Sequence, residues 1–282
     1  MRRVMTLAMY AVFVLTLISF PAPPGLAGDE GSPSPLDKVK WQKGPCTADL
    51  GKFAEVRVPA GCVFAGSGDV KTILESMQNF PSGDEVGFIM EPSSETALIF
   101  RFDESGYVKD DEKGSLDADA MLNSIKSGTE KANEERRKRG WSEMQVVGWE
   151  IPPNYNENTH NLEWAVRGKS KEGEVVNFNT RLLGRDGFMK VTLVTTPEDF
   201  KDSLTMFRNV VSDFSYKPGH RYAEFRQGDK VAKYGLTALV VGGAAAAAAK
   251  AGVFKGLWKL IVAAGAGLLI AFKKLFGKQE AA

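Results

Sequence analysis

Apolar and polar side chains alternate through much of the middle of the chain. A period of two is typical of β-strands with one buried face, and it recurs in seven short segments. Gaps of hairpin size, such as residues 184–187, separate neighbouring segments and favour antiparallel pairing. The predicted strands cover residues 53–58, 86–90, 97–102, 144–149, 162–167, 175–183 and 188–195.

Three other segments have the period of a helix, at residues 70–79, 117–139 and 197–214. In the last of these, Thr196 and Asp199 fit a capping box, and Pro197 fits the first helical position. The pattern predicts an α+β domain, in which helices pack on a mainly antiparallel sheet. Five residues of the last helix are spaced by four and three positions and form one apolar stripe: Phe200, Leu204, Phe207, Val211 and Phe214.

The N-terminus has the pattern of a secretory signal. Arg2 and Arg3 precede an apolar run at residues 7–20, and small residues follow before Ala27. We predict that residues 1–27 are a signal peptide cleaved after Ala27. An uncleaved anchor is the alternative, but the run is shorter than the ~20 residues of a membrane-spanning helix.

Two apolar runs near the C-terminus predict membrane attachment. Residues 234–249 contain no charged side chain, and a second run at about residues 256–272 lies between lysines. Both runs contain the small residues that allow close helix packing in a membrane. A transmembrane hairpin is therefore predicted, followed by a tail at residues 275–282. A single span and a water-soluble alanine-rich helix are the alternatives.

These ends define the domain organisation. Residues 28–40 are rich in Gly, Ser and Pro and predict a linker, and residues 41–230 form the α+β domain. The predicted location is a bacterial inner membrane, with this domain on the periplasmic side. The chain has 36 Lys and Arg against 35 Asp and Glu residues, so there is no basic excess to favour nucleic acid.

Cys46 and Cys62 are the only cysteines. In an oxidising compartment they are a candidate disulfide, and two free thiols are the alternative. The chain has no CxxC redox motif, no nucleophile motif and no phosphate-binding loop. We therefore predict no catalytic residue and no cofactor.

Acidic residues cluster at Asp110, Asp111 and Glu112. Carboxylates in a loop can hold a hard cation, and a hydrolase could use them with Arg181 or Arg185 as an anion clamp. However, the spacing lacks the regularity of a calcium loop. A solvated acidic turn before the helix at residues 117–139 is the simpler interpretation. No metal site is predicted at either histidine, because neither has other ligands at suitable spacing.

Aromatic and amide side chains are concentrated around Trp149, Tyr155 and Trp164. Such a region could contact a peptide or a glycan, and tyrosine and tryptophan are enriched at binding surfaces. Burial of the tryptophans beside a rigid turn is the alternative.

Five ordered strings between residues 41 and 252 resemble a bacterial family of membrane-anchored proteins catalogued as domain of unknown function 2167. The resemblance implies an exported domain followed by membrane helices, and it implies no activity or catalytic residue. The helix at Pro197 and the following Phe214-Ser215-Tyr216 also resemble the end of a Mog1- or PsbP-type fold, an analogy of fold only. The five strings are WQKGPCTADLG, GYVKDDE, GWEIPPNYNENTHNLEWA, NFNTRLLGRDGFMKVTLV and DKVAKYGLTALVVGGAAAAAAKAG.

Three functional hypotheses follow. The first is a non-enzymatic envelope module that binds a protein or cell-wall partner. The second is a metal-dependent or acid/base hydrolase that uses Asp110 and Asp111. The third is a homo-oligomeric membrane element formed by the C-terminal helices, with membrane lipid as their partner.

Overall fold

The fold consists of three layers built around one large antiparallel sheet. A computed structural model describes residues 34–94, 96–111, 116–157 and 159–241. The central sheet has eight strands. Three helices cover one of its faces, and a three-stranded sheet with a fourth helix covers the other. The predicted α+β class with a mainly antiparallel sheet is therefore confirmed.

The described residues form eleven strands and four α-helices. The helices are α1 Ser67–Ser76, α2 Ala118–Lys138, α3 Phe200–Ser212 and α4 Leu236–Val241. The strands are β1 Gln42–Lys43, β2 Cys46–Leu50, β3 Ala54–Val58, β4 Val63–Gly66, β5 Glu85–Glu91, β6 Thr96–Asp103, β7 Gln145–Asn156, β8 Asn161–Ser170, β9 Gly173–Leu183, β10 Phe188–Thr195 and β11 Phe214–Tyr216.

The order of strands in the large sheet is β1-β4-β5-β6-β10-β9-β8-β7, and β11-β3-β2 form the small sheet. The β9–β10 hairpin turns at Gly184–Gly187, as the sequence predicted. Gly187 has a φ of 156°, and a Cβ there would lie 1.8 Å from the carbonyl oxygen of Asp103. The turn therefore requires glycine at this position.

All seven predicted strands are present. The main difference in length is β7, which continues through Pro152 and Pro153 to Asn156. This extension is tolerated because β7 is an edge strand with several bulges, where proline interrupts no ladder between two neighbours. Four short strands, β1, β2, β4 and β11, were not predicted.

The predicted start of the last long helix is wrong by three residues. α3 begins at Phe200, and residues 197–199 form a turn. The Asp199 amide donates to Thr196 Oγ1 at 3.2 Å, so this bond closes the turn before the helix rather than capping it. In α2, by contrast, Asp117 does cap the helix by accepting from the Ala120 amide at 3.0 Å.

The two faces of the large sheet differ in chemistry. The face toward α3 packs almost entirely apolar side chains, with Phe178 and Phe207 in edge contact at 5.0 Å. We call this the α3 face. The opposite face, which we call the α2 face, packs Val70 and Ile73 of α1 and Ile125 of α2. The α2 face also buries several charges.

Those charges lie on neighbouring strands. Lys190 Nζ lies 2.9 Å from Asp84 and 3.0 Å from Asp103, and Arg101 lies 3.2 Å from Glu85. Each of these buried or half-buried cations therefore has a carboxylate beside it, which offsets part of the cost of removing the charges from water.

Arg181 is the exception on this face. It is 2% exposed, and no described carboxylate forms an ion pair with it. Its guanidinium lies 4.5 Å from the ring centre of Trp164, and Nε donates to the Leu239 carbonyl of α4 at 3.2 Å. Burial, together with repulsion from Arg101, lowers the pKa of Arg181 to about 9.

The α4 helix corrects part of the membrane prediction. Leu236, Leu239 and Val240 were assigned to the first predicted span, yet they are buried in the core of the α2 face. Among the described residues, no helix combines the length and apolar character that a membrane crossing needs. The remainder of that span, the run at residues 256–272 and the tail at 275–282 lie outside the described residues.

Described residues on both sides of the predicted domain bounds, 41–230, also pack on the fold. Val39, in the predicted linker at residues 28–40, is 8% exposed, and the turn at Pro35–Lys38 packs beside α1. At the other end, the packed α4 adds residues after 230. The predicted signal peptide at residues 1–27 lies outside the described residues.

The predicted disulfide is absent from the structure, in which both thiols are free. Cys46 lies half-buried at the start of β2, opposite Val58. Cys62 is buried before β4, where burial raises the pKa of its thiol. Cys46 thus begins a strand of the small sheet, whereas Cys62 directly precedes a strand of the large sheet.

Candidate functional site

Five ring side chains from distant parts of the chain meet at one end of the α2 face. They come from the segment after β6, from β7, from the β7–β8 turn and from the segment between β11 and α4. All five are at least partly exposed to solvent. We call this group the aromatic surface; its members are Tyr107, Tyr155, His160, Tyr222 and Phe225.

Four of the rings form a stack. The ring centres of His160 and Tyr222 are 4.7 Å apart, those of Tyr222 and Tyr107 are 4.5 Å apart, and those of Tyr107 and Phe225 are 4.2 Å apart. Tyr107 therefore lies between two other rings, and Phe225 ends the stack with 37% of its surface exposed. Because the rings pack on one another, their arrangement is formed without any partner.

A hydrogen-bonded group forms the other end of the aromatic surface. The hydroxyl of Tyr155 lies 3.0 Å from Asp110 Oδ2 and 3.2 Å from His160 Nδ1. The ionised carboxylate can only accept, so Tyr155 donates to Asp110, and His160 then donates from Nδ1 to the tyrosine oxygen. Burial and the bond to Asp110 raise the pKa of Tyr155, so the phenol stays protonated at neutral pH. It is a hydrogen-bonding group rather than an activated nucleophile.

Backbone bonds tie the two segments that carry the stack. The Tyr107 amide donates to the Lys230 carbonyl at 2.8 Å, and the Ala232 amide donates to the Tyr107 carbonyl at 2.9 Å. The Tyr222 hydroxyl donates to the Val108 carbonyl at 3.1 Å, and burial raises the pKa of this phenol. The stack is therefore fixed to the sheet through main chain as well as rings.

Of the three aromatic residues predicted as contacts, only Tyr155 lies in the aromatic surface. Trp149 is half-buried against the α2 face, and its Nε1 donates to the Ala118 carbonyl of α2 at 3.3 Å. Trp164 is fully buried beneath Arg181, so its prediction as a contact residue is wrong. A side chain inside the core cannot touch a partner while the domain is folded.

Two of the three residues of the predicted acidic site lie in the described part of the chain, and they have different surroundings. Asp110 faces Tyr155, Asp111 is exposed, and Glu112 lies outside the described residues. Within the described part of the chain, no group of three metal-ligating side chains converges. Arg185 forms two bonds to Asp229, at 2.7 and 2.8 Å, and Arg181 is buried against α4. Asp110, Arg181 and Arg185 are thus engaged with other partners, and the acidic site stays a prediction.

Sequence reasoning missed four members of the aromatic surface, namely Tyr107, His160, Tyr222 and Phe225. A signal was present in Tyr222 and Phe225, which lie three residues apart in a charged segment without regular apolar periodicity. His160 was considered only as a metal ligand. It has a φ of 52°, in the left-handed region that non-glycine residues seldom adopt.

Comparisons with known proteins give the family of this chain. No curated protein sequence matches it. Among solved structures, the solution structure of cyanobacterial PsbP (CyanoP) from Synechocystis sp. PCC 6803 is similar, with 12% identity and a TM-score of 0.38 over 70% of this chain and 100% of that one. A family model described as Protein of unknown function (DUF2167) matches residues 42–273. That match spans most of the sequence and confirms the resemblance of the five strings, so the chain belongs to the DUF2167 family.

Proposed function

We propose that the chain is a membrane-tethered binding module of the bacterial cell envelope, and that its aromatic surface holds a protein partner. One observation carries the proposal. Three large hydrophobic side chains of the described residues are exposed, and two of them, Phe225 and Val231, flank Tyr107 at this surface. Clustered exposed apolar groups mark interaction sites, and tyrosines are enriched among residues that dominate binding energy.

The polar end of the surface adds specificity. Asp110 and His160 keep 30% and 44% of their side-chain surface exposed while they bond to Tyr155. A partner can therefore pack an apolar side chain against Phe225 and place a hydrogen-bonding group near Asp110. Because these groups are already oriented by their own bonds, little side-chain entropy is lost when a partner binds.

Photo-crosslinking tests the partner contact. A photoreactive amino acid replaces Phe225 in the full chain in native membranes, and the matched control replaces Val147, the third exposed hydrophobic residue, which lies on β7. We expect one crosslinked protein from position 225 and none from position 147, with loss of that product when Tyr222 is changed to Ala. The same products from both positions, or none from either, would contradict the proposal.

The proposed tether is a single membrane span. Export follows from the signal pattern at residues 1–27, which would leave the domain outside the cytoplasm. While α4 is packed on the domain, only residues 242–249 of the first apolar run remain. Eight residues of helix reach about 12 Å, against a hydrocarbon core of about 30 Å. The run at residues 256–272 is then the longest remaining candidate. As a helix its 17 residues would reach about 26 Å, and Lys255 and Lys273 at its ends can snorkel to the membrane interface and extend the span.

A topology reporter fused after Ala282 tests this tether. A single span predicts that the reporter lies in the cytoplasm, on the side opposite the domain. A hairpin would return it to the periplasmic side, and that result would also require α4 to leave the domain.

A further inference from the structure

A cavity lies on the side of the β7–β8 turn opposite the aromatic surface, against α3. Its volume is about 590 Å³, which falls within the range of small-molecule sites. Its floor is apolar and buried, and it is formed by Leu182, Phe207 and Tyr216. The Tyr216 hydroxyl donates to the Leu182 carbonyl at 2.7 Å and accepts from the Met189 amide at 2.8 Å, so the floor is held rigidly. We call this cavity the groove.

A carboxylate without hydrogen-bond partners lines the groove. Glu163, on β8, keeps 26% of its side-chain surface exposed, and no described residue donates a hydrogen bond to it. Its nearest cation is Arg208, at 4.0 Å, and the side chain of Arg208 is 62% exposed. The pair is therefore weak. Burial also raises the pKa of Glu163.

A second polar atom without a partner lies beside it. Thr180 on β9 is paired in register with Glu163, and its Oγ1 is buried with no hydrogen-bond partner. A buried polar group left unsatisfied costs about 1–3 kcal/mol, and such groups are rare in native proteins. Thr180 does not itself line the groove, so Glu163 is the group that a ligand in the groove could satisfy.

The rim of the groove limits the chemistry of that ligand. Arg208 and Arg221 donate hydrogen bonds, whereas Asn156 and Asn161 carry amides that both donate and accept. The two arginines disfavour a cation, and Glu163 disfavours an anion. A neutral molecule with many hydroxyl groups matches this mixture of donors and acceptors, and one flat apolar face would let it lie on the floor.

We infer that the groove binds a sugar ring of a glycan. A pyranose places hydroxyl groups that donate and accept around its edge, and it presents C–H groups on a face that packs on apolar and aromatic side chains. Glu163 would accept from one hydroxyl, and the arginines and amides would bond to its neighbours. This inference does not depend on the partner contact at the aromatic surface.

Binding of defined oligosaccharides to the full chain tests the inference. The chain is purified in a detergent without a sugar head group, and saturation-transfer NMR and calorimetry are recorded with chitotriose and with cellotriose. Inorganic phosphate and spermidine serve as anion and cation probes. We expect saturable binding of at least one trisaccharide and none of phosphate or spermidine.

Two variants localise the binding. Glu163→Gln keeps the shape of the side chain and should weaken binding by about tenfold or more, as expected for loss of a charged hydrogen bond. Ser212→Trp, at the exposed end of α3, should fill the groove and abolish binding. The matched control is Glu150→Gln, which alters a carboxylate of β7 that is paired with Arg167 and lies outside the groove.

These measurements distinguish a sugar site from the alternatives. The inference is supported if a trisaccharide binds, both groove variants weaken that binding, and the control variant leaves it unchanged. No sugar binding, binding of phosphate or spermidine instead, or sugar binding that neither groove variant changes overturns it.

Discussion

The two faces of the large sheet use their buried surface differently. The α3 face is a continuous apolar core that includes Phe178 and Phe207. The α2 face buries Arg181 and half-buries Lys190 among apolar side chains. Apolar burial stabilises a fold without direction, whereas buried charges require particular partners. We conclude that both faces contribute apolar burial, and that the buried polar contacts of the α2 face also fix where α4 docks.

The same contrast extends to the two sites. At the aromatic surface, on the α2 face, the hydroxyl of Tyr155 is already bonded to Asp110 and His160. In the groove, on the α3 face, Glu163 has no hydrogen-bond donor among the described residues. A surface whose polar groups are satisfied suits a large partner that packs on it, and unsatisfied groups in a cavity suit a small ligand.

The largest effect should come from the apolar face. Phe207→Ala removes a ring that is 1% exposed and leaves a cavity, so we expect the free energy of unfolding to fall by about 3–5 kcal/mol. Urea unfolding of the full chain in detergent, followed by tryptophan fluorescence, measures this loss. Phe225→Ala, at the exposed end of the stack, is the matched control and should cost about 1 kcal/mol or less. Equal losses of stability from Phe207→Ala and Phe225→Ala would contradict the difference between the buried α3 face and the exposed stack.

Two tyrosine hydroxyls give the next comparison. Tyr216→Phe leaves the buried Met189 amide without its partner, so it should cost about 1–3 kcal/mol. Tyr155→Phe removes a hydroxyl from a half-exposed group whose partners can bond to water, and should cost about 1 kcal/mol or less. The same unfolding experiment measures both. A larger loss from Tyr155→Phe would show that the aromatic surface is structural rather than a binding site.

Arg181→Met tests what holds α4. The substitution removes the bond to the Leu239 carbonyl but keeps most of the apolar volume, and replacing a buried charge in this way is often nearly neutral for global stability. We therefore expect faster hydrogen exchange, by about tenfold, at the amides of Leu239 and Val240, with β10 amides unchanged. Unchanged exchange in α4 would contradict the role of Arg181 in docking.

The smallest effects concern the pH dependence of stability. The pKa values of two carboxyl groups, one on each face, are shifted in opposite directions. Burial alone would raise the pKa of Asp84, but Lys190, Ser82 and Arg101 more than offset it, so the pKa is lowered. Asp84 therefore stabilises the fold above its ordinary pKa of about 4, and this contribution is lost as the pH falls further. Burial raises the pKa of Glu163, so its ionised form opposes folding at neutral pH.

Unfolding at pH 7 and pH 3 separates the two carboxyl groups. Glu163→Gln should be more stable than the parent chain at pH 7, and this gain should vanish by pH 3, where Glu163 is protonated in both the folded and the unfolded state. Asp84→Asn should instead be less stable than the parent at pH 7 and lose less stability than the parent between pH 7 and pH 3. If both substitutions changed stability in the same direction at pH 7, the opposite pKa shifts of Asp84 and Glu163 would be refuted.

Much of the fold could be predicted because alternation along each strand depends only on local sequence. The prediction missed β4, whose four residues lead directly into α1 and are too few to show a period. It also ended β7 too early, because proline is expected to end a strand and the bulged edge position of β7 is a property of the whole sheet.

The sites could be predicted less well because they depend on tertiary contacts. Tyr155 and Asp110 are 45 positions apart, and nothing local shows that they meet. Trp149 and Trp164 have similar sequence surroundings, yet one borders the surface and the other is buried under Arg181. Whether an aromatic side chain is buried depends on which distant segments pack over it. These tertiary contacts cannot be seen in a single sequence.

The most direct test of the central claim is hydroxyl-radical footprinting of the full chain, compared between native membranes and the purified protein. If the aromatic surface holds a partner, oxidation of Tyr222 and Phe225 should fall severalfold in native membranes, while oxidation of Val147 and of the half-exposed Trp141 should stay the same. Equal oxidation of Tyr222 and Phe225 in both preparations would show that the aromatic surface is unoccupied in the cell and would contradict the account.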